Sequence, residues 1–421
     1  MVHDSKIRAI INLVRQINGN LSKKEGLSKV TEYFQYSPKS SSVKNIKAPS
    51  YCLDLTQPPF SQLFFQLTAS SYKFKQCLKT FPVKEESPFV EHAIELDLSH
   101  NKFQTIPKEI QSFKKLEKLN LTQNNLKQLP EELCKLKSLV SLELGDNDLN
   151  ALPMLIGNLT NLRKIDLRHN NFISLPETFF LLDKLQLLHA SSNNLTSLPE
   201  NIWQLPKLNI VQLNHNNLQT IPTDVVENSP LRLLDLSFNH LSKLPSNFGE
   251  MFPQLQMLNL KWNNLSSLPE SFGKLINLRK LDLSWNNLSS LPESFGNLRK
   301  LQHLNLRING IEQLPSSFYN LTSLQELNLF WNDLTSLSKQ IGWFKKLNTL
   351  NLSLNKLKIV PEEVHELPYL RTLNLSDNQI EEFSYAKAKT TFIRIENNPI
   401  SPQLERLYEN QIEEKMLEKK E

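Results

Sequence analysis

The sequence predicts an α/β solenoid, with a parallel β-sheet along its inner face and short turns or helical segments along its outer face. Three observations carry this. An asparagine recurs fourteen times at a nearly constant step, a short alternating apolar segment precedes each one, and a proline-bearing spacer follows. At 421 residues the chain is long enough for two or three domains, but a repeat of this kind overrides that expectation.

From Ala93 the pattern LxxLxLxxNxL recurs with its asparagine at Asn101, Asn124, Asn147, Asn170, Asn193, Asn216, Asn239, Asn263, Asn286, Asn309, Asn332, Asn355, Asn378 and Asn398. The step is 23 residues, except 24 before Asn263 and 20 before Asn398. In Leu278-Arg279-Lys280-Leu281-Asp282-Leu283, alternation puts Leu281 and Leu283 on one face and Lys280 and Asp282 on the other. Such a strand is too short to bury its leucines alone, so one strand per turn stacks into a parallel sheet over a continuous apolar core. The asparagine falls where the chain turns inward. Its amide can satisfy backbone groups that have lost their ladder partners, each worth about 1–3 kcal/mol if left buried and unpaired.

The spacer reads LxxLPxxfgxL, as in Leu265 to Leu275. Proline holds the same place in eleven of thirteen spacers, from Pro107 to Pro361. It fixes φ and lacks a donor, so this side forms an extended segment or a helical turn. Ser338 and Ser384 replace it, and the outer side is expected to be less regular there. A wide outer side against strands ~4.8 Å apart bends the stack into an arc, with the sheet concave.

This 23-residue unit, with its LP and xFGxL or xIGxL words, resembles the leucine-rich repeat of intracellular scaffolds such as the plant Ras-group proteins and related animal and microbial ones. The resemblance covers 93–400. It implies a horseshoe, no cofactor, and a protein or peptide partner on the concave sheet. Extracellular members usually carry cysteine-rich caps, which this chain lacks. Asn263–Gly273 and Asn286–Gly296 share the word NNLSSLPESFG, as after a recent duplication.

Both ends need caps, since an open solenoid exposes core leucines. Residues 401–421 read as a capping helix, with Ser401 as N-cap, Pro402 in the first turn, and Leu404, Tyr408, Ile412 and Met416 on one face. Residues 1–92 do not repeat. They read as a capping or interaction region, with an amphipathic stripe at Ile7, Ile10, Ile11, Val14 and Ile17 and a Ser/Lys/Pro-rich linker over 38–50. A capping role is preferred to a separate interaction module or an organelle transit segment.

Composition narrows the function. Glycine numbers only 9, and the glycine-bearing motifs of dinucleotide folds, phosphate loops and nucleophile elbows are all missing. Residues 1–92 hold 13 Lys/Arg against 7 Asp/Glu, and the remainder 35 against 36. The repeats therefore offer no basic stripe for nucleic acid. Three cysteines without paired or zinc spacing point to a reducing, cytoplasmic setting. No apolar run is long enough to span a membrane. His100, His169 and His215 share one repeat position but lie two or more repeats apart, ~10 Å or beyond, too far for one metal ion. Strand acids such as Asp97, Glu143, Asp166, Asp235 and Asp282 form no close pair with a nucleophile. After Ile400 only 21 residues remain, too few for an added catalytic module. The expectation is a protein without catalytic, cofactor or metal-binding residues.

One pattern stands out from the repeat. With the asparagine as position 9, position 8 reads His100, Gln123, Asp146, His169, Ser192, His215, then Phe238, Trp262, Trp285, Ile308, Trp331, Leu354, then Asp377, Asn397. Six polar residues give way to six apolar ones, and Phe330 adjoins them at position 7. Position 3 carries a second apolar run, Leu187, Ile210, Leu233 and Met257. An aromatic stripe on a polar surface is what binding hot spots look like. Lys261, Lys280, His303, Asn305 and Arg307 are expected to form its rim. The alternatives are packing beside the asparagines, or self-association through the stripe. The preferred function is a monomeric, non-enzymatic scaffold that binds a protein or peptide.

Overall fold

Each repeat contributes one three-residue strand whose middle residue faces the core. In the computed structural model of the chain, the structure describes residues 71–73, 89–224, 229–383 and 392–400. The helical stripe at 7–17, the linker at 38–50, Ser384 and the capping helix at 401–421 lie outside the described residues. Two compact units divide the chain, Met1–Lys207 and Leu208–Glu421.

The first unit holds β1 (Ser71–Lys73), β2 (Glu95–Asp97), β3 (Lys118–Asn120), β4 (Ser141–Glu143), β5 (Lys164–Asp166) and β6 (Leu187–His189), and a one-turn helix α1 (Phe89–His92). The second holds β7 (Ile210–Gln212), β8 (Leu233–Asp235), β9 (Met257–Asn259), β10 (Lys280–Asp282), β11 (His303–Asn305), β12 (Glu326–Asn328), β13 (Thr349–Asn351), β14 (Thr372–Asn374) and β15 (Phe392–Arg394). Within each unit neighbouring strands pair in parallel, equivalent residue on equivalent residue, as Leu281 beside Leu304. β1 pairs with β2 although no repeat motif precedes Ala93.

The middle residues, Leu96 to Leu188 and Val211 to Leu373, are buried together with the leucines on either side. At each strand's end the asparagine does what its chemistry promises. Asn286 Nδ2 donates to the carbonyls of Leu260 and Leu283, both at 3.0 Å, and its Oδ1 accepts the Leu265 N–H at 3.0 Å. All of these asparagines except Asn309 and Asn398 are buried. A second device closes the strand end: Asp282 Oδ1 accepts the Ser284 N–H at 2.9 Å and its hydroxyl at 2.6 Å. Asp97 with Ser99 and Asp235 with Ser237 repeat it, while Glu143 pairs with Lys164 and Asp166 accepts the Arg168 N–H.

On the outer side, single 3₁₀ turns follow the prolines, as at Glu270–Lys274 and Glu293–Asn297. Phe248, Phe272, Phe295 and Phe318 stack at 6.0–6.1 Å between ring centres, all buried. Glycine follows where turns pack closest: a Cβ on Gly273 or Gly296 would strike the backbone carbonyl of Ser294 or Ser317 in the next turn. The extra residue before Asn263 is absorbed by α2 (Phe248–Met251), an α-turn in place of the 3₁₀ turn, which needs more residues per turn.

The irregularity expected at Ser338 is not found. Ser338 keeps the backbone of the prolines (φ −72°, ψ 148°, beside −73° and 148° at Pro130) and precedes the usual 3₁₀ turn, Lys339–Trp343. Its hydroxyl accepts the Gln340 N–H at 3.3 Å. The N–H that proline would lack is taken by the hydroxyl of Tyr319 at 3.1 Å. Tyr319 stands where other repeats carry glycine, and it packs on Phe344 at 5.8 Å. Two departures from the repeat thus compensate each other.

Replacing Asn286 with Ala should lower stability by about 1–3 kcal/mol in denaturant melts, and Asn398→Ala by less because that site is more exposed. Equal losses would contradict the ladder account. Tyr319→Phe should cost about 1 kcal/mol in the parent but little in a Ser338→Pro background. A double-mutant cycle with no coupling would show that the Tyr319 hydroxyl does not serve Ser338.

Candidate protein-binding surface

The turn that ends each strand requires a left-handed residue. All fourteen position-8 residues, His100 to Asn397, have φ between 50° and 61°, and none is glycine. Backbone bonds hold the turn in place: the Trp262 N–H donates to Ser284 at 2.9 Å, Trp285 to Arg307 at 2.8 Å, and Trp331 to Ser353 at 2.9 Å. Asn and Asp tolerate this region, whereas bulky and β-branched side chains strain in it. Asp146, Asp377 and Asn397 follow that preference. Phe238, Trp262, Trp285, Ile308, Trp331 and Leu354 run against it, in six consecutive repeats.

This row lies wholly in the second unit. His215 stacks on Phe238 at 4.1 Å, Phe238 on Trp262 at 5.7 Å, and Trp262 on Trp285 at 4.2 Å, with planes within 15° of parallel. Trp262, Trp331 and Leu354 are exposed, at 43%, 56% and 39%. Phe238, Trp285 and Ile308 are half-buried. Phe238 and Trp285 are less exposed than Trp262 and Trp331, because stacked neighbours cover their faces. Phe330, half-buried, meets Trp331 edge-on at 6.3 Å.

The predicted rim divides. Lys261 Nζ lies 5.5 Å above the Phe238 ring and the Arg307 guanidinium 4.8 Å from Phe330, so both belong to the stripe itself. Lys280, His303 and Asn305 lie instead on the sheet face, in a groove that also takes in Leu233 and Met257. There His303 Nδ1 sits 3.0 Å from Glu326. The stripe has its own shallow groove, lined by Phe238, Trp262, Trp285 and Ile308 with the polar His240, Asn264 and Asn287. The two apolar runs, at positions 3 and 8, are therefore separate features. Ile210 and Leu233 are half-buried on β7 and β8, Met257 is exposed on β9, and Leu187 is half-buried on β6 of the first unit.

Residues 230–358 match the family described as leucine-rich repeat region, and residues 92–149, 160–218 and 338–380 match the one described as leucine rich repeat. A solved leucine-rich repeat protein of Leptospira interrogans is 33% identical, with a TM-score of 0.71 over 84% of each chain. The chain is a leucine-rich repeat protein. A chain of the Drosophila Toll–Spätzle complex is 28% identical, with a TM-score of 0.67 over 74% of this chain and 45% of that one. The ectodomain of the Arabidopsis receptor kinase HAESA, solved with a peptide hormone, is 26% identical, with a TM-score of 0.55 over 76% and 60%. This leucine-rich repeat chain thus spans less than two thirds of those two chains. No curated protein matches it. Among the described residues no helix is long and apolar enough to cross a membrane.

One cluster in the structure carries no mark in the repeat pattern. In the first unit His189 Nε2 lies 2.7 Å from the Ser191 hydroxyl, and its Nδ1 lies 3.7 Å from Asp166 Oδ1, the outline of a catalytic triad. The second distance is too long for a hydrogen bond, and Ser191 is only 5% exposed. Burial also lowers the His189 pKa, an effect that the Asp166 charge opposes. Position-7 serines elsewhere bond to position 5 in the same way, so His189 takes the place of the strand-end aspartate. The leucine-rich repeat explains the cluster without catalysis.

The left-handed row makes a stability prediction. Ile308→Asn should change stability by less than about 1 kcal/mol, since relieved backbone strain offsets lost packing. Trp285→Ala should cost about 1 kcal/mol through lost stacking, against about 2–5 kcal/mol for the buried Leu281→Ala. Thermal melts in which Ile308→Asn or Trp285→Ala falls as far as Leu281→Ala would make the row a packing feature.

Proposed function

We propose that this protein is a non-enzymatic interaction module that holds a partner protein or peptide along the apolar row of its second unit. One observation carries the reading: six large apolar side chains occupy backbone positions that disfavour them, at the surface, while other repeats fold with polar residues there. Core packing does not require them, and the local backbone does not select them. Binding is the remaining use for an exposed aromatic row of this kind. The peptide-bound receptor ectodomain and the Toll–Spätzle complex among similar structures support a role in recognising proteins or peptides. A cytoplasmic site of action belongs to the same proposal and rests on the unpaired spacing of the cysteines.

The test is selection of binders from a displayed peptide library against immobilised full-length protein. Sequences enriched on the parent should lose about tenfold or more in affinity for Trp262→Ser/Trp331→Ser, about 1.4 kcal/mol or more, while the variant stays folded, losing only the stability expected from lost stacking. Binders indifferent to that pair would place recognition elsewhere.

A further inference from the structure

The row has a charge character as well as an apolar one, and it decides what kind of segment can lie on it. His215, Phe238, Trp262 and Trp285 stack face to face, so they turn ring edges outward and keep most faces against one another. The aromatic quadrupole is negative on the face and positive at the edge. The indole N–H groups of Trp262, Trp285 and Trp331 add donors, and no described protein group accepts from them. Lys261 and Arg307 lie over rings of the same row, and among the described residues no carboxylate comes within ion-pair distance of either.

The acids nearby are already engaged. Asp235 and Asp282 each give one oxygen to a serine of their own turn and the other to Asn259 or Asn305. Asp333 is paired with Lys356 at 2.6 Å, and Asp235, Asp282 and Glu326 line the sheet-face groove, whereas no acid among the described residues lines the stripe's own groove. What the row itself offers is ring edges, indole donors with no acceptor among the described residues, and two cations, set in an apolar strip.

We propose that the occupant is an extended acidic peptide segment of a partner protein, with apolar side chains alternating with Asp or Glu. This rests on the row being the docking surface. Six repeats at ~4.8 Å cover about 24 Å, the reach of seven or eight extended residues. A single-stranded nucleic acid fits less well, because its bases need a run of open aromatic faces, and those from Phe238 to Trp262 are occupied by neighbouring rings. A second copy of the chain fits less well too, because a two-fold contact centred on the row would set Lys261 of each copy against Arg307 of the other, cation on cation.

The experiment uses the full chain and fluorescein-labelled peptides of about ten residues, in which Leu and Trp alternate with Glu, with Gln or with Lys. The Glu peptide should bind about tenfold or more tightly than the other two at about 50 mM salt, with a smaller gap at about 500 mM. In Lys261→Glu/Arg307→Glu the preference should vanish or pass to the Lys peptide. Equal binding of the Glu and Gln peptides, a preference unchanged by the charge reversal, or no binding of any peptide overturns the proposal. So does tighter binding of single-stranded DNA, or a row-dependent dimer in light scattering. If the Glu peptide binds Trp262→Ser/Trp331→Ser as it binds the parent, the docking surface itself is wrong. Loss of charge preference alone leaves that surface standing.

Discussion

A primary amide with two donors and one strong acceptor, planted once per turn, is the constraint from which the rest follows. Each three-residue strand must end abruptly, and the bend that ends it strips carbonyls and an N–H of their ladder partners. Asn286 and its equivalents supply the missing partners from inside the core, bonding to their own turn and to the one before. No shorter or charged side chain offers both donors and an acceptor in this geometry at tolerable burial cost. Because the amide spans two turns, it also sets their spacing.

The bend has a consequence for recognition. It demands a left-handed residue just before the asparagine, and that residue's side chain leaves the core. Core packing therefore does not choose its identity, and the repeat can vary it at a modest cost in strain. Where the variants are polar, each repeat's side chain stands alone. Where they are aromatic, the close spacing of turns stacks them into one ridge. The structural ladder of asparagines thus lays out a second row beside itself, on which a surface of chosen chemistry can be written.

The opposite side shows how regularity survives substitution. A phenylalanine spine and close-packed glycines set the distance between outer turns. When proline gives way to Ser338, a backbone donor appears. The same neighbourhood exchanges a glycine for Tyr319, whose hydroxyl receives it. An added residue before Asn263 is taken up by one α-turn without disturbing the strand register on either side.

The parallel sheet, the inward leucines, the asparagine ladder and the position of the aromatic row were all legible in the sequence, because each follows from a period or an alternation that the chain carries locally. Strand β1 was not, since Ser71–Lys73 shows no repeat motif, yet it pairs in parallel with β2. Nor was the compensation at Ser338, or the likeness of His189, Ser191 and Asp166 to a triad. The row itself was read as a set of exposed side chains, yet Phe238 and Trp285 are half-covered and Lys261 and Arg307 lie over rings. The sequence by itself determined which residues recur and on which side of the strand they fall. Only the tertiary structure decided which of them touch and which edges they show, because residues 23 or 24 positions apart along the chain come within 4–6 Å only once the turns have stacked.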